Sequence, residues 1–195
     1  MLRYLTQPVA AAVCVSSLCG EASAVETSRL DVFFGARNYV SADLSRMPLW
    51  RDVLLRAAKD DGAWADDLEM LRSLSAREQV RVVNAYFNAA PYRADGADQW
   101  ATPSELMRSG GDCEDFAAAK YFALRRLGFP PDALRIAVVR DARAGQFHAV
   151  LLVSLDDGVV MLDNQSAVVE AAVDVDGYRP LLAMNEESWQ RPYAL

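Results

Sequence analysis

Three residues of this chain are of the right type and spacing to do covalent chemistry together. Cys113 stands in Gly110-Gly111-Asp112-Cys113-Glu114-Asp115, on the first turn of a predicted helix. Free backbone N–H groups and the positive end of the helix macrodipole at that place favour a thiolate. His148, the only histidine, lies in a β-rich run with apolar neighbours, and Asp163 ends the next run. A cysteine at a helix start, a histidine on a strand and an aspartate on the adjacent strand are a nucleophile, a base and an orienter. Taken singly, each has an ordinary structural reading: a lone cysteine or histidine is usually a satisfied core residue, and Asp163-Asn164 could form a turn. One cysteine and one histidine do not make the usual four-ligand zinc site.

The elements that must position these residues follow from the periodicity. Leu44, Met47, Trp50 and Leu54 recur at helical spacing over Leu44 to Ala58. Ser75-Ala76-Arg77-Glu78 is a capping box ahead of Val80, Val83 and Phe87. Thr102-Pro103-Ser104-Glu105 is a second, with Pro at the first helical position and Gly110 as a stop. Asp112 caps a third helix whose apolar face carries Phe116, Tyr121, Leu124 and Leu127, ended by Gly128 and Pro130. The period then changes. Leu134 to Arg140, Phe147 to Leu155 and Val159 to Asp163 read as strands, and another is expected near Tyr178 to Met184. Asp156-Asp157-Gly158 reads as a hairpin turn, and the expected register sets Asp163 opposite Leu151, close to His148. Helices first and an antiparallel sheet second is an α+β plan.

The 195 residues, 52% hydrophobic and 24% charged, suit one domain able to bury a core without staples. A formal net charge of -7 opposes broad nucleic-acid binding. Residues 1–24 read as a secretory signal peptide: Arg3 near the start, a small and apolar stretch from Val9 to Cys19, and an Ala22-Ser23-Ala24 cleavage site. The remaining residues, 25–195, form a single expected domain. Cleavage removes Cys14 and Cys19, leaving Cys113 as the one thiol of an exported chain.

Gly111-Asp112-Cys113-Glu114-Asp115-Phe116-Ala117 with Lys120-Tyr121, then His148-Ala149-Val150-Leu151, then Leu162-Asp163-Asn164, resembles the bacterial transglutaminase-like cysteine proteinases. The likeness extends through Phe34-Gly35, Trp50, Asn84, Asn88, Tyr92, Trp100-Ala101-Thr102-Pro103 and Asn185-Glu186-Glu187-Ser188-Trp189. It implies a papain-like, transglutaminase-type core in which the helical half packs on the antiparallel sheet. It also implies a Cys113–His148–Asp163 triad and a calcium site built from Asp112, Glu114 and Asp115. The physical chemistry is compatible: three carboxylates beside Cys113 raise its pKa, and a bound divalent cation would cancel that penalty. The alternative is that these acids only cap the helix and complement its dipole.

The function so implied is a periplasmic, calcium-dependent cysteine endopeptidase that cleaves a large cell-surface adhesin in biofilm release. Its expected partner is the periplasmic domain of a cyclic-di-GMP-responsive inner-membrane receptor that sequesters it. Within the site, the Cys113 N–H is a natural oxyanion donor, and a second is sought in the Trp100 region. Two other classes compete: an amidase or transglutaminase-like acyl transferase with the same triad, and a non-enzymatic calcium-binding adaptor module. If the export signal is read correctly, amino-terminal sequencing of the protein from its native host begins at Val25. A cytoplasmic chain that retains Met1 would contradict it.

Overall fold

The computed structural model describes residue 30 and residues 38–94, 99–172 and 177–193. The signal-peptide residues 1–24, with Cys14 and Cys19, and Phe34-Gly35 lie outside the described residues. The fold is α+β. Among the described residues there are five α-helices, α1 (Pro48–Ala57), α2 (Ala63–Glu69), α3 (Ala76–Asn88), α4 (Pro103–Ser109) and α5 (Cys113–Leu127). The same residues form seven strands, β1 (Asn38–Ser41), β2 (Leu134–Asp141), β3 (Gln146–Leu155), β4 (Gly158–Leu162), β5 (Glu170–Ala171), β6 (Tyr178–Met184) and β7 (Trp189–Pro192). They make one antiparallel sheet in the order β1-β7-β6-β2-β3-β4-β5.

Both expected capping boxes form, at Ser75 with Glu78 and at Thr102 with Glu105. The long helix expected over Leu44 to Ala58 divides. A 3-10 turn covers Leu44–Arg46, and α1 begins at Pro48, which lacks the N–H that an upstream helix would have required. Helix α2 and the short strands β1, β5 and β7 had no counterpart in the sequence reading, because each is too short to show a period.

Helix α5 is the spine. Ala117, Ala118, Ala119 and Ala123 are all buried, and their small side chains allow the helix to lie close on the sheet. That face of the sheet contributes Leu134, Ile136, Ala149, Leu151, Val153, Val160, Leu162 and Met184 to the main core. The opposite face has its own cluster, with Ala137, Val139, Val150, Leu152, Met161 and Ala183 under Leu30. Strand β3 is thus covered on both sides, which explains its nearly unbroken apolar run.

Trp50 ties α1 to this spine. Its ring lies 5.2 Å from Tyr121, 5.6 Å from Phe122 and 5.6 Å from Trp100, and its indole N–H donates to the Asn185 carbonyl at 2.8 Å. Next to it, Arg125 reaches both carboxylate oxygens of Glu186, at 3.1 and 2.7 Å, and the Tyr121 hydroxyl donates to the same group at 3.1 Å. These contacts fasten the C-terminal end of β6 to the helical layer. Trp50→Ala should therefore destabilise the fold by about 3–5 kcal/mol, read as a lower midpoint in urea unfolding. An unshifted midpoint would show that the aromatic cluster does not hold the two layers together.

Candidate active site

Cys113 opens α5, half-buried, with Asp112 as the N-cap residue. The glycines before it are required by close approach. Gly110 has φ +78°, and a side chain there would run into the Pro91 carbonyl. A Cβ on Gly111 would lie 2.8 Å from the Asp115 Cβ. The segment is further held by a parallel bridge between Tyr92 and Gly111, with the Arg93 N–H donating to the Gly111 carbonyl at 2.8 Å. The backbone N–H of Ala149 acts on the Cys113 sulfur, so the thiol lies beside β3 next to the residue that follows His148.

His148 and Asp163 are joined directly. His148 Nε2 lies 2.9 Å from Asp163 Oδ1, and both side chains are buried. The hairpin register produces this contact. Leu151 pairs with Leu162, one step away from the expected register, so Asp163 comes level with Val150 instead of Leu151. Side chains alternate along a strand, and a slip of one residue exchanges the two faces. The observed pairing gives Asp163 the parity of Val150 and His148.

Asp163 is held from several directions. Its Oδ1 also accepts from the Gln165 N–H at 2.8 Å, and its Oδ2 accepts from the Tyr178 hydroxyl at 2.8 Å. Its carbonyl accepts from Asn88 Nδ2 at 2.9 Å. Asn88 and Asn84 both donate to the Ser166 carbonyl, which pins the loop after Asp163 to α3. Burial alone would raise the Asp163 pKa. The bonds from His148, Gln165 and Tyr178 outweigh it and hold the carboxyl below the usual carboxylate range. Asn164, the neighbouring candidate, has a buried Oδ1 with no hydrogen-bond partner among the described residues.

His148 Nε2 faces Asp163, and Gln165 Nε2 is 3.5 Å from its Nδ1. The thiol itself donates to Glu114 Oε2 at 3.3 Å. Burial, then the Glu114 charge and this hydrogen bond, push the Cys113 pKa up to about 12, with Asp112 adding and the Ala149 N–H opposing. Burial, with the acidic neighbours, thus overcomes the helix terminus that favoured a thiolate.

The three acids part company. Asp112, Cys113 and Glu114 bring ligand atoms within 4.8 Å of one another. Asp115 is outside that cluster and buried. Its Oδ1 accepts from the Ala101 N–H at 2.6 Å and its Oδ2 from the Asp112 N–H at 3.0 Å, as the third-residue member of a capping box. Asp115 thus caps the helix start, while the side chains of Asp112 and Glu114 gather beside the thiol. The second oxyanion donor sought near Trp100 does not come from Ala101 or Thr102, whose N–H groups go to Asp115 and Glu105. Tyr178 and Gln165 were missed by sequence reasoning. Tyr178 stands fifteen residues beyond Asp163 with no motif around it, and only the β2–β6 pairing brings it back.

The profile of the bacterial transglutaminase-like cysteine proteinases matches residues 62–190. The chain belongs to this family. Among solved structures it is similar to calcium-bound LapG of Legionella pneumophila, with 29% identity and a TM-score of 0.60 over 71% of this chain and 86% of that one. EGTA-treated LapG of the same organism matches at 29% identity and a TM-score of 0.58, over 69% of this chain and 81% of that one. No curated protein sequence matches the chain. The family and the fold expected from the Gly111–Ala117 segment are those observed, and the chain is a cysteine proteinase by family.

The sign of the Asp163 shift makes a prediction. A carboxyl depressed in the fold contributes stability above its unfolded pKa and loses it as pH falls through its folded value. Asp163→Asn removes that contribution, so its melting temperature should fall less steeply than wild type between about pH 5 and pH 2. Asn164→Ala should keep the wild-type slope. Equal slopes in wild type and Asp163→Asn would show that this carboxylate is not stabilised by its neighbours.

Proposed function

We propose that this protein is an exported, calcium-dependent cysteine endopeptidase with Cys113, His148 and Asp163 as its catalytic triad. The observation that carries the reading is the buried 2.9 Å contact between His148 Nε2 and Asp163 Oδ1, one residue along β3 from Ala149, whose backbone N–H acts on the Cys113 sulfur. Asp163 fixes the imidazole with its proton on Nε2, leaving Nδ1 to draw the proton from the thiol. The thiolate attacks the peptide carbonyl carbon, and the Cys113 N–H at the helix start receives the developing oxyanion. The imidazolium passes its proton to the leaving amine, and water drawn by the same nitrogen hydrolyses the thioester.

Asp112 and Glu114 fit a hard divalent cation, since their oxygens cluster around the thiol and carry the like charge that raises its pKa. They would hold calcium, with Asp115 organising the helix start around them. Bound there, the cation supplies positive charge that offsets the acids and competes with the thiol for the Glu114 carboxylate. The two LapG structures, one calcium-bound and one EGTA-treated, support calcium as the ion. Family membership supports a protein substrate over an amine-transfer reaction. The resemblance read from the sequence supports a large surface adhesin as substrate, a periplasmic location with a role in biofilm release, and sequestration by a cyclic-di-GMP-responsive receptor.

The test uses the membrane-proximal segment of a large adhesin from the same host, incubated with the protein in calcium or in EGTA, with products identified by mass spectrometry. Cleavage in calcium, its suppression by EGTA and its abolition by Cys113→Ala are expected. Asp163→Asn should lose about 10²–10⁴ in rate, the share that positioned proton transfer contributes. Cleavage by Cys113→Ala, or incorporation of an added amine in place of hydrolysis, would sink the endopeptidase reading.

A further inference from the structure

The sheet face that α5 covers is left open at one end of β3. Ala149 and Leu151 lie in the core beneath the helix, while Phe147, which shares their face, is 66% exposed. The helical cover therefore ends between Ala149 and Phe147, and Phe147 adjoins His148 in the chain. Across from Phe147 stands Arg140 on β2, and across from Arg140 stands Arg179 on β6. Directly opposed residues share a face, so Phe147, Arg140 and Arg179 form a row over three strands. Arg140 lies over the Phe147 ring, 5.1 Å from its centre, and both arginines are exposed.

Sheet stability gives no reason for this row. Like charges set directly opposite each other destabilise a strand pair. The chain carries 27 acidic residues against 20 lysines and arginines, yet among the described residues no acid pairs with Arg140 or Arg179. A guanidinium seated over an aromatic ring keeps its N–H edge free, and that edge takes a carboxylate through two hydrogen bonds. A carboxylate placed between the two arginines would turn their repulsion into a bridge. We propose that this row is a substrate subsite, in which Arg140 and Arg179 hold an acidic side chain of the protein substrate close to the scissile bond and Phe147 packs on the same segment. A chain with a formal charge of -7 repels an acidic substrate as a whole, and the row is the place beside His148 that admits one. The inference names the substrate class of the endopeptidase proposed above and rests on its triad.

The experiment gives the full domain, in calcium, a library of unstructured peptides and reads the cut sites by mass spectrometry. Asp or Glu should be enriched at a fixed position within about four residues of the cut, since three strands span about 10 Å and an extended chain advances about 3.3 Å per residue. Arg140→Gln and Arg179→Gln should each raise KM for such a peptide roughly 10-fold with kcat unchanged, as loss of a charged hydrogen bond made equally in ground and transition states does. Arg179→Gln should melt no lower than wild type, because it relieves a like-charge pair. Arg140→Glu should shift the enrichment toward Lys and Arg. Arg77→Gln, at the other end of β3 beside Asp157, should keep the wild-type profile. A profile without acidic enrichment, or one that Arg140→Glu leaves unchanged, overturns the proposal. Binding is read separately on isotope-labelled Cys113→Ala protein titrated with an alanine peptide carrying two glutamates. The Nε–H signals of Arg140 and Arg179 should move, and should stay in place when lysines replace the glutamates. If the wild-type protein cuts no peptide, the endopeptidase reading fails, while unmoved signals in the titration are what overturn carboxylate binding by the row. Moved signals beside a cleavage profile without acidic preference would assign the row to another acidic protein and overturn the substrate role.

Discussion

The pairing of Leu151 with Leu162 is the constraint from which the site follows. A two-residue turn at Asp156-Asp157 closes Leu155 on Gly158, and from there every later pair is determined. Gly158 has φ +139°, a conformation that side-chain-bearing residues rarely adopt, so the glycine allows the chain to re-enter the sheet in this register. Both faces of β3 are buried, and a slip would exchange two apolar clusters of different shape. The core therefore defends the register strongly, and the His148–Asp163 contact inherits that rigidity. A contact between a residue of β3 and the residue that directly follows β4 is more exact than one placed on long loops.

The nucleophile is controlled differently, by charge at a helix terminus. Asp115 is turned inward to Ala101 and Asp112, and Gly111 leaves the space its carboxylate occupies. This anchors the start of α5 whatever the ionic conditions. Glu114 and Asp112 face the thiol and disfavour its ionisation, against the helix dipole. In the proposed triad the His148–Asp163 pair is thus already in contact, while the reactivity of the thiol is left to its electrostatic surroundings. Such a division places any dependence on a cation at Cys113 and spares the His148–Asp163 pair.

How much of this was legible in the sequence follows from range. The capping boxes at Ser75 and Thr102, the N-cap at Asp112 and the Asp156-Asp157-Gly158 turn are decided by residues within a few positions of each other, and all were visible. The three residues of the proposed triad stood out because a chain with one histidine offers few alternatives. The register was misjudged by one step, because a turn with acidic residues on both sides of its bend does not declare which pair closes it. The distinct fate of Asp115 was hidden, since adjacent carboxylates look alike in sequence and differ only in where a helix turns them. Tyr178 and Asn88 reach Asp163 from β6 and α3, and no local pattern announces that meeting.

Asp163 shows why those distant contributions are needed. A carboxylate that stabilises an imidazolium must stay ionised in a buried setting where burial alone would protonate it. Exposure would keep it ionised, and would also screen the charge that makes it useful. The alternative is to satisfy its oxygens with hydrogen-bond donors, which favour the charged form. A tyrosine hydroxyl, a backbone N–H and the imidazole do this on the two oxygens, and the asparagine on α3 fixes the backbone behind them. Each donor comes from a different part of the fold, so the orienter is assembled only when sheet and helices have docked. The hairpin alone would bring His148 and Asp163 together. It would not keep the carboxylate charged.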